Sequence, residues 1–222
     1  MGRVSILQLD TKFLRIPGDI GCKKTFIEPP QHLIVEGATA NKVVTSRPEN
    51  IDITPFLDAA QSATGDILTT SCGFLAPFQK ELQENLDIPV AVSSINQLAD
   101  ISKIYSPEQV IILTIAADKL CTKHLPKALW KYSKCICGLE NSSYFQKVIF
   151  EDMVMFDEAK VADELLKVFK HACNENTRAL LLECTNMPPY KPNLKQFKDI
   201  KIFDILSAIE TLVPNTVNPA YL

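Results

Sequence analysis

Short apolar runs recur along the chain at 4–9, 33–36, 66–70, 89–92, 109–114, 134–137, 147–150, 179–183 and 201–203, and helix-patterned stretches lie between many of them. This alternation constrains the fold more than any other feature. A run that is apolar throughout, rather than at every second residue, suits a strand buried on both faces. Such strands belong to parallel sheets, whose crossover connections lay helices on the two faces. The expected class is therefore α/β, with mainly parallel sheets in three-layer α/β/α units. Local signals mark some helices. Thr54-Pro55 reads as an N-cap followed by proline at the first helical position, with Gly65 as a stop. The span 157–174 is the longest helix expected, with Ala159, Ala162, Leu165, Leu166 and Phe169 on one face.

The order of elements also looks duplicated. Strand, helix, strand-Cys, helix, strand-Ser-Ser fills about the first hundred residues, and a similar series ending in strand-Cys fills the next hundred. No residue-level repeat accompanies it. The expectation is two pseudo-symmetric halves with the active site in the cleft between them. Residues 1–105 together with 200–222 form the first half, carrying Cys72, and 106–199 form the second, carrying Cys184. The break falls near Ser106-Pro107.

Composition excludes several classes. With 222 residues, 46% hydrophobic and 22% charged, the chain can bury a sizeable core. A net charge of -3 without a basic cluster argues against nucleic acid or an anionic membrane as partner. No apolar run approaches the ~20 residues of a membrane span, and the opening residues read as a first strand rather than a signal peptide. Seven cysteines, an odd number, point to free thiols and a cytoplasmic setting. Neither glycine-rich nucleotide motif is present. Cys135-x-Cys137 lacks a second ligand pair, and His32, His124 and His171 are not spaced to complete a zinc site. No cofactor or metal is expected.

Two cysteines occupy matching positions. Cys72 ends the run Ile67-Leu68-Thr69-Thr70-Ser71, and Cys184 ends the run Ala179-Leu180-Leu181-Leu182-Glu183. Ligands of parallel α/β sheets bind beyond the carboxyl ends of the strands. Helices starting just after each cysteine would aim N–H groups at that pocket, favouring thiolates from a reference pKa of about 8.5 and holding a substrate carboxylate. Two thiols facing one carbon from opposite sides can remove a proton from one face and return one to the other.

The segments Thr69-Thr70-Ser71-Cys72-Gly73-Phe74-Leu75-Ala76-Pro77-Phe78-Gln79 and Leu182-Glu183-Cys184-Thr185-Asn186-Met187-Pro188-Pro189-Tyr190 resemble those of the aspartate/glutamate racemase family, within the Asp/Glu/hydantoin racemase superfamily. Arg15-Ile16-Pro17-Gly18-Asp19-Ile20-Gly21 and Lys201-Ile202-Phe203-Asp204-Ile205 add to the resemblance, which spreads over nearly the whole chain. It implies cofactor-independent racemisation or epimerisation of a small α-substituted carboxylic acid, with an amino acid such as aspartate or glutamate as first guess. Cys72 and Cys184 become the acid/base pair, and Asp19 an acid that orients or polarises a thiol. Arg15, Ser71, Gly73, Phe74, Ser94, Thr114, Thr185 and Asn186 become the candidates for substrate contact. Related enzymes are often homodimers, though no interface is legible in this sequence.

The chain also departs from the family pattern. Asn186 stands where many glutamate racemases have His and many aspartate racemases have Glu, and Cys72-Gly73-Phe74 replaces Cys-Asn-Thr. Three alternatives stay open: a same-fold isomerase of the maleate isomerase kind, a same-fold lyase of the decarboxylase kind, and a carboxylate-binding protein without turnover. Strand-end hydroxyls at Thr70 and Ser93 read equally as caps, and Glu140 as solvated surface.

Overall fold

The computed structural model describes residues 2–139, 143–195, 197 and 199–222; Glu140 lies outside them. Eight strands alternate with helices: β1 Val4–Leu9, β2 Gln31–Val35, α1 Ala40–Val43, α2 Thr54–Ala60, β3 Ile67–Thr70, α3 Gln79–Glu84, β4 Val90–Ala91, α4 Leu98–Ile101, β5 Val110–Thr114, β6 Ile136–Gly138, α5 Tyr144–Phe150, α6 Glu158–Ala172, β7 Ala179–Leu182, α7 Lys191–Leu194, β8 Lys201–Phe203 and α8 Ile205–Leu212. They build two four-stranded sheets in the orders β2-β1-β3-β4 and β6-β5-β7-β8, with every strand pair parallel. The orders are the same when four is added to each number. The duplication expected from the sequence is thus a duplication of topology.

Burial explains the apolar runs. Every residue of β3, β5 and β7 is buried, as strands covered on both faces require. One large core runs under both sheets, while a smaller one lies on the other face of the first sheet. There Val4, Ile6, Ile67 and Ala91 meet Ile205, Leu206, Ala208 and Ile209 of α8. Among the described residues no helix is long and apolar enough to cross a membrane.

Three local expectations change. The run at 147–150 is not a strand but the end of α5. Phe145, Val148 and Ile149 share its buried side, the Ser143 hydroxyl accepts from Gln146 N–H, and the Glu164 carboxylate accepts from Tyr144 and Phe145 N–H. A run this short has no periodicity of its own, so the cap decides. Thr54 is the first residue of α2 rather than its cap, and α2 ends before Gly65. Gly65 is there because a side chain would strike the main chain at Arg3 and Ser5.

The crossing back to the first half also falls later than residue 200. β8 pairs with β7 and extends the second sheet. The chain returns only with α8, which packs on β3 and β4. Asp204 marks the crossing. It caps α8 by accepting from Ser207 N–H and forms a buried ion pair with Lys191 at 2.6 Å. The Lys191 ammonium also donates to the Tyr221 carbonyl. Breaking a buried pair from one side leaves the other charge unsolvated. Lys191→Met should therefore lower unfolding stability by about 3–5 kcal/mol, and a Lys191→Met/Asp204→Asn double variant should recover part of it. Urea denaturation of the three chains checks both.

Candidate active site

The pocket forms where the carboxyl ends of the two sheets meet. Beyond β3 the chain runs Ser71-Cys72-Gly73, and beyond β7 it runs Glu183-Cys184-Thr185. The two turns are built alike. Ser71 N–H donates to the Leu7 carbonyl of β1 at 3.0 Å, and Glu183 N–H to the Leu113 carbonyl of β5 at 2.8 Å, so each turn prolongs its ladder by one bond. They then lock together. Thr185 Oγ1 donates to the Ser71 carbonyl at 2.7 Å, while Gly73 lies against the Glu183 carbonyl so closely that a Cβ would overlap it. Cys72 and Cys184, 112 positions apart in sequence, thereby line one cleft.

That cleft is narrow, with about 20 Å³ of space open to a water-sized sphere. Its walls are Leu9, Phe13, Ala40, Val44, Ile115 and Ile149, with Phe74 set edge-on to His124 at 5.1 Å between ring centres. A few polar groups converge within the apolar lining, the pattern of a small-molecule site. Of the residues named from sequence, Arg15, Ser71, Cys72, Gly73, Phe74, Cys184, Thr185 and Asn186 reach the cleft. Three do not. Ser94 is buried and donates to the Leu182 carbonyl at 2.7 Å, tying the halves together. Thr114 is buried and donates to Glu183 Oε2 at 2.6 Å. Asp19 lies behind Arg15 and Asn186.

Asp19 is the hub of a buried polar chain. Its Oδ1 accepts from Gly21 N–H at 2.7 Å and from Arg15 at 3.2 Å. Its Oδ2 accepts from Asn186 Nδ2 at 2.6 Å. An ionised carboxylate only accepts, so this bond fixes the Asn186 amide with Oδ1 turned the other way. There Oδ1 accepts from the Cys184 thiol at 3.6 Å. Asp19 thus positions Asn186, and Asn186 positions Cys184. Arg15 stacks over the Phe13 ring at 4.1 Å and donates to Thr11 Oγ1 at 2.9 Å, while its buried Nε has no partner among the described residues.

No family model matches the chain. Its curated relatives include dimethylsulfoniopropionate lyase 5 of Emiliania huxleyi (strain CCMP1516), 24% identical over 98% of this chain, and the dimethylsulfoniopropionate lyase of Durusdinium sp. clade D, 24% identical over 98% of this chain. The chain spans about half of the first, 46%, and 76% of the second. Among solved structures, allantoin racemase from Pseudomonas fluorescens superposes with a TM-score of 0.60 at 15% identity, over 94% of this chain and 88% of that one. Unliganded arylmalonate decarboxylase superposes with a TM-score of 0.56 at 13% identity, over 100% and 97%. The chain shares its fold with this racemase and this decarboxylase.

Within this racemase fold, the electrostatics of the thiols differ from the sequence-based expectation. No long helix starts at either cysteine. A 3-10 turn, Gly73–Phe78, follows Cys72, and the corresponding turn Pro188–Tyr190 starts four residues after Cys184. What replaces a helix terminus is one N–H per sulfur, from Phe74 to Cys72 and from Asn186 to Cys184. Burial outweighs them. It pushes the Cys72 thiol up to about 12, with the Glu183 carboxylate adding to the rise and Arg15 opposing it. Burial also pushes the Cys184 thiol up, and there Glu183, Cys72 and Asp19 all add to the rise. The pair is therefore unequal: burial holds both as thiols, Arg15 opposes the rise at Cys72, and Asp19 adds to it at Cys184. Among the described residues no group of three or more His, Cys, Asp or Glu could hold a metal ion.

Glu183 is the site residue that sequence reading did not assign. It is only 1% exposed, it lines the cleft, and its Oε1 has no hydrogen-bond partner among the described residues. The available signal was a charge ending an otherwise apolar buried strand, a position where charges are rare. Burial raises its pKa from 4.5 to about 7, and the Thr114 hydrogen bond opposes the shift. The folded chain thus keeps a proton that the unfolded chain releases above about pH 4.5. This group's contribution is largest below that pH, falls as pH rises to about 7, and is constant beyond. The loss should be on the order of 3 kcal/mol between pH 4.5 and about 7. Urea denaturation at pH 5 and pH 8 should show this slope in the wild type and lose it in Glu183→Gln.

Proposed function

We propose that the chain is a cofactor-independent enzyme that removes a proton from the carbon next to a carboxylate, with Cys72 as base, and expels a leaving group from the neighbouring carbon. The observation that carries this reading is the unequal thiol pair in one narrow cleft beside Arg15. Elimination needs one base, and Arg15 eases ionisation at Cys72 alone, where burial is the chief obstacle. The partnerless Nε of Arg15 is a donor suited to a substrate carboxylate. The sequence relatives are named for such a lyase. Dimethylsulfoniopropionate carries a carboxylate and, on the β-carbon, a sulfonium. The Cys72 thiolate takes the α-proton, the C–H pair becomes the new C=C bond, and the C–S pair leaves with the sulfide. The products are acrylate and dimethyl sulfide, with the proton on Cys72 until solvent takes it.

A second reading, racemisation or epimerisation of a small α-substituted acid, draws on the fold and on the second thiol. Cys184, held protonated by Asn186 and its negative neighbours, suits the return of a proton to the opposite face. The two readings share the first step and differ in the fate of the carbanion. Dimethylsulfoniopropionate and both enantiomers of aspartate and glutamate, each incubated with the chain in D2O, separate them. Acrylate by NMR and dimethyl sulfide in the headspace indicate elimination. Deuterium at the α-carbon with loss of optical rotation indicates racemisation. Under the first reading Cys72→Ser should lower turnover by about 10²–10⁴-fold, the usual worth of one acid/base group, and Cys184→Ser by less than about tenfold. Equal, large losses in both variants would favour racemisation. Wild-type rates in Cys72→Ser would remove the thiol from either mechanism.

A further inference from the structure

We propose that the Glu183 carboxylate is the specificity-determining group that faces a cationic substituent of the substrate, so that the cleft selects zwitterions carrying a carboxylate at one end and an onium or ammonium at the other. The inference rests on the elimination reading and specifies its substrate class.

The case begins with the pseudo-symmetry of the two turns. Ser71 and Glu183 are equivalent, each one residue past its strand and each bonded back to the neighbouring strand. Gly73 and Thr185 are equivalent too. Thr185 uses its hydroxyl on the opposite turn, but Gly73 has no side chain, and a Cβ there would overlap Glu183 Oε1 as well as the carbonyl. The missing side chain is therefore the room in which the Glu183 carboxyl lies. A carboxyl from the second half thus lies against Gly73 at the lining of the cleft, where a side chain of the first half would otherwise stand.

The carboxyl is only half satisfied. Oε2 has the Thr114 hydroxyl at 2.6 Å, whereas Oε1 is buried with no partner among the described residues. Ionising a buried carboxyl whose oxygen lacks a donor is costly unless a ligand supplies the counter-charge. An onium ion supplies charge without needing a hydrogen-bond acceptor, and the Phe74 ring that also lines the cleft suits it. Arg15, whose Nη1 pairs with Asp19, keeps its Nε for the carboxylate end. The cleft therefore offers one cationic and one anionic partner.

The arrangement also couples recognition to chemistry. Glu183 opposes ionisation of both thiols. A cation beside Glu183 cancels that field, so the substrate's own charge eases formation of the Cys72 thiolate. A carboxylate with an uncharged tail of the same shape would leave the Glu183 field uncancelled.

Two probes of nearly equal shape, neither with a leaving group β to the carboxylate, test this on the purified chain: the zwitterion 4-(trimethylammonio)butanoate, and the anion 5,5-dimethylhexanoate, in which carbon replaces the ammonium nitrogen. By titration calorimetry the wild type should bind the zwitterion at least about tenfold more tightly. Glu183→Gln should bring the two within about twofold of each other, mainly by weakening the zwitterion. Should Glu183→Gln not fold, Glu183→Asp withdraws the charge by one methylene and should reduce the preference by about threefold. A wild type that binds both probes equally, or neither, overturns the inference, as does an unchanged preference in the Gln variant or, in its place, the Asp variant. The function reading is tested apart from this: α-deuteration and acrylate release by the wild type can stand while the probe preference fails.

Discussion

The two turns that follow β3 and β7 lie against each other through a hydroxyl-to-carbonyl bond, Thr185 to Ser71, and a glycine-to-carbonyl contact, Gly73 to Glu183. Both rest on main-chain atoms that the sheets have already positioned, because each turn continues its ladder by one more bond. The cleft follows from that contact. It sets Cys72 and Cys184 on one pocket, brings Arg15 beside Cys72, and leaves Asp19 behind Asn186. Two sheets of equal topology could meet in other ways. This pair of close contacts admits little sliding, since Gly73 has no room for even a methyl group.

A second consequence is electrical. Closing the cleft between two sheets removes water from four ionisable groups, Cys72, Cys184, Asp19 and Glu183, and only Asp19 receives a full set of partners. The thiols are held protonated, and Glu183 titrates near neutrality. Desolvation that disfavours thiolates in the empty site also strengthens every interaction once a charged substrate enters.

The connection after each fourth strand binds the halves further. After β4, Ser94 donates to the Leu182 carbonyl of β7, and after β8, α8 covers β3 and β4. Each half thus lends a segment to the other. The Lys191–Asp204 pair holds the second crossing in place, on the path by which the chain returns to the first sheet.

Much of this was legible in the residues. Apolar runs without alternation specify strands buried on both faces, and hence the parallel α/β class, because burial of both faces is a property of the strand itself. Matched cysteines at strand ends are legible for the same reason: chain order alone places them at the carboxyl edge. The tertiary structure decided the rest. Whether 147–150 is strand or helix depended on Ser143 and on Glu164, 14 or more positions away from that run. That Ser94 and Thr114 bind main chain and Glu183 rather than a ligand, and that Glu183 fills the space of an absent side chain at Gly73, are facts about which atoms meet across the two halves. Thiol ionisation likewise depends on buried charge and lost water, and neither is carried by the local sequence around Cys72 or Cys184.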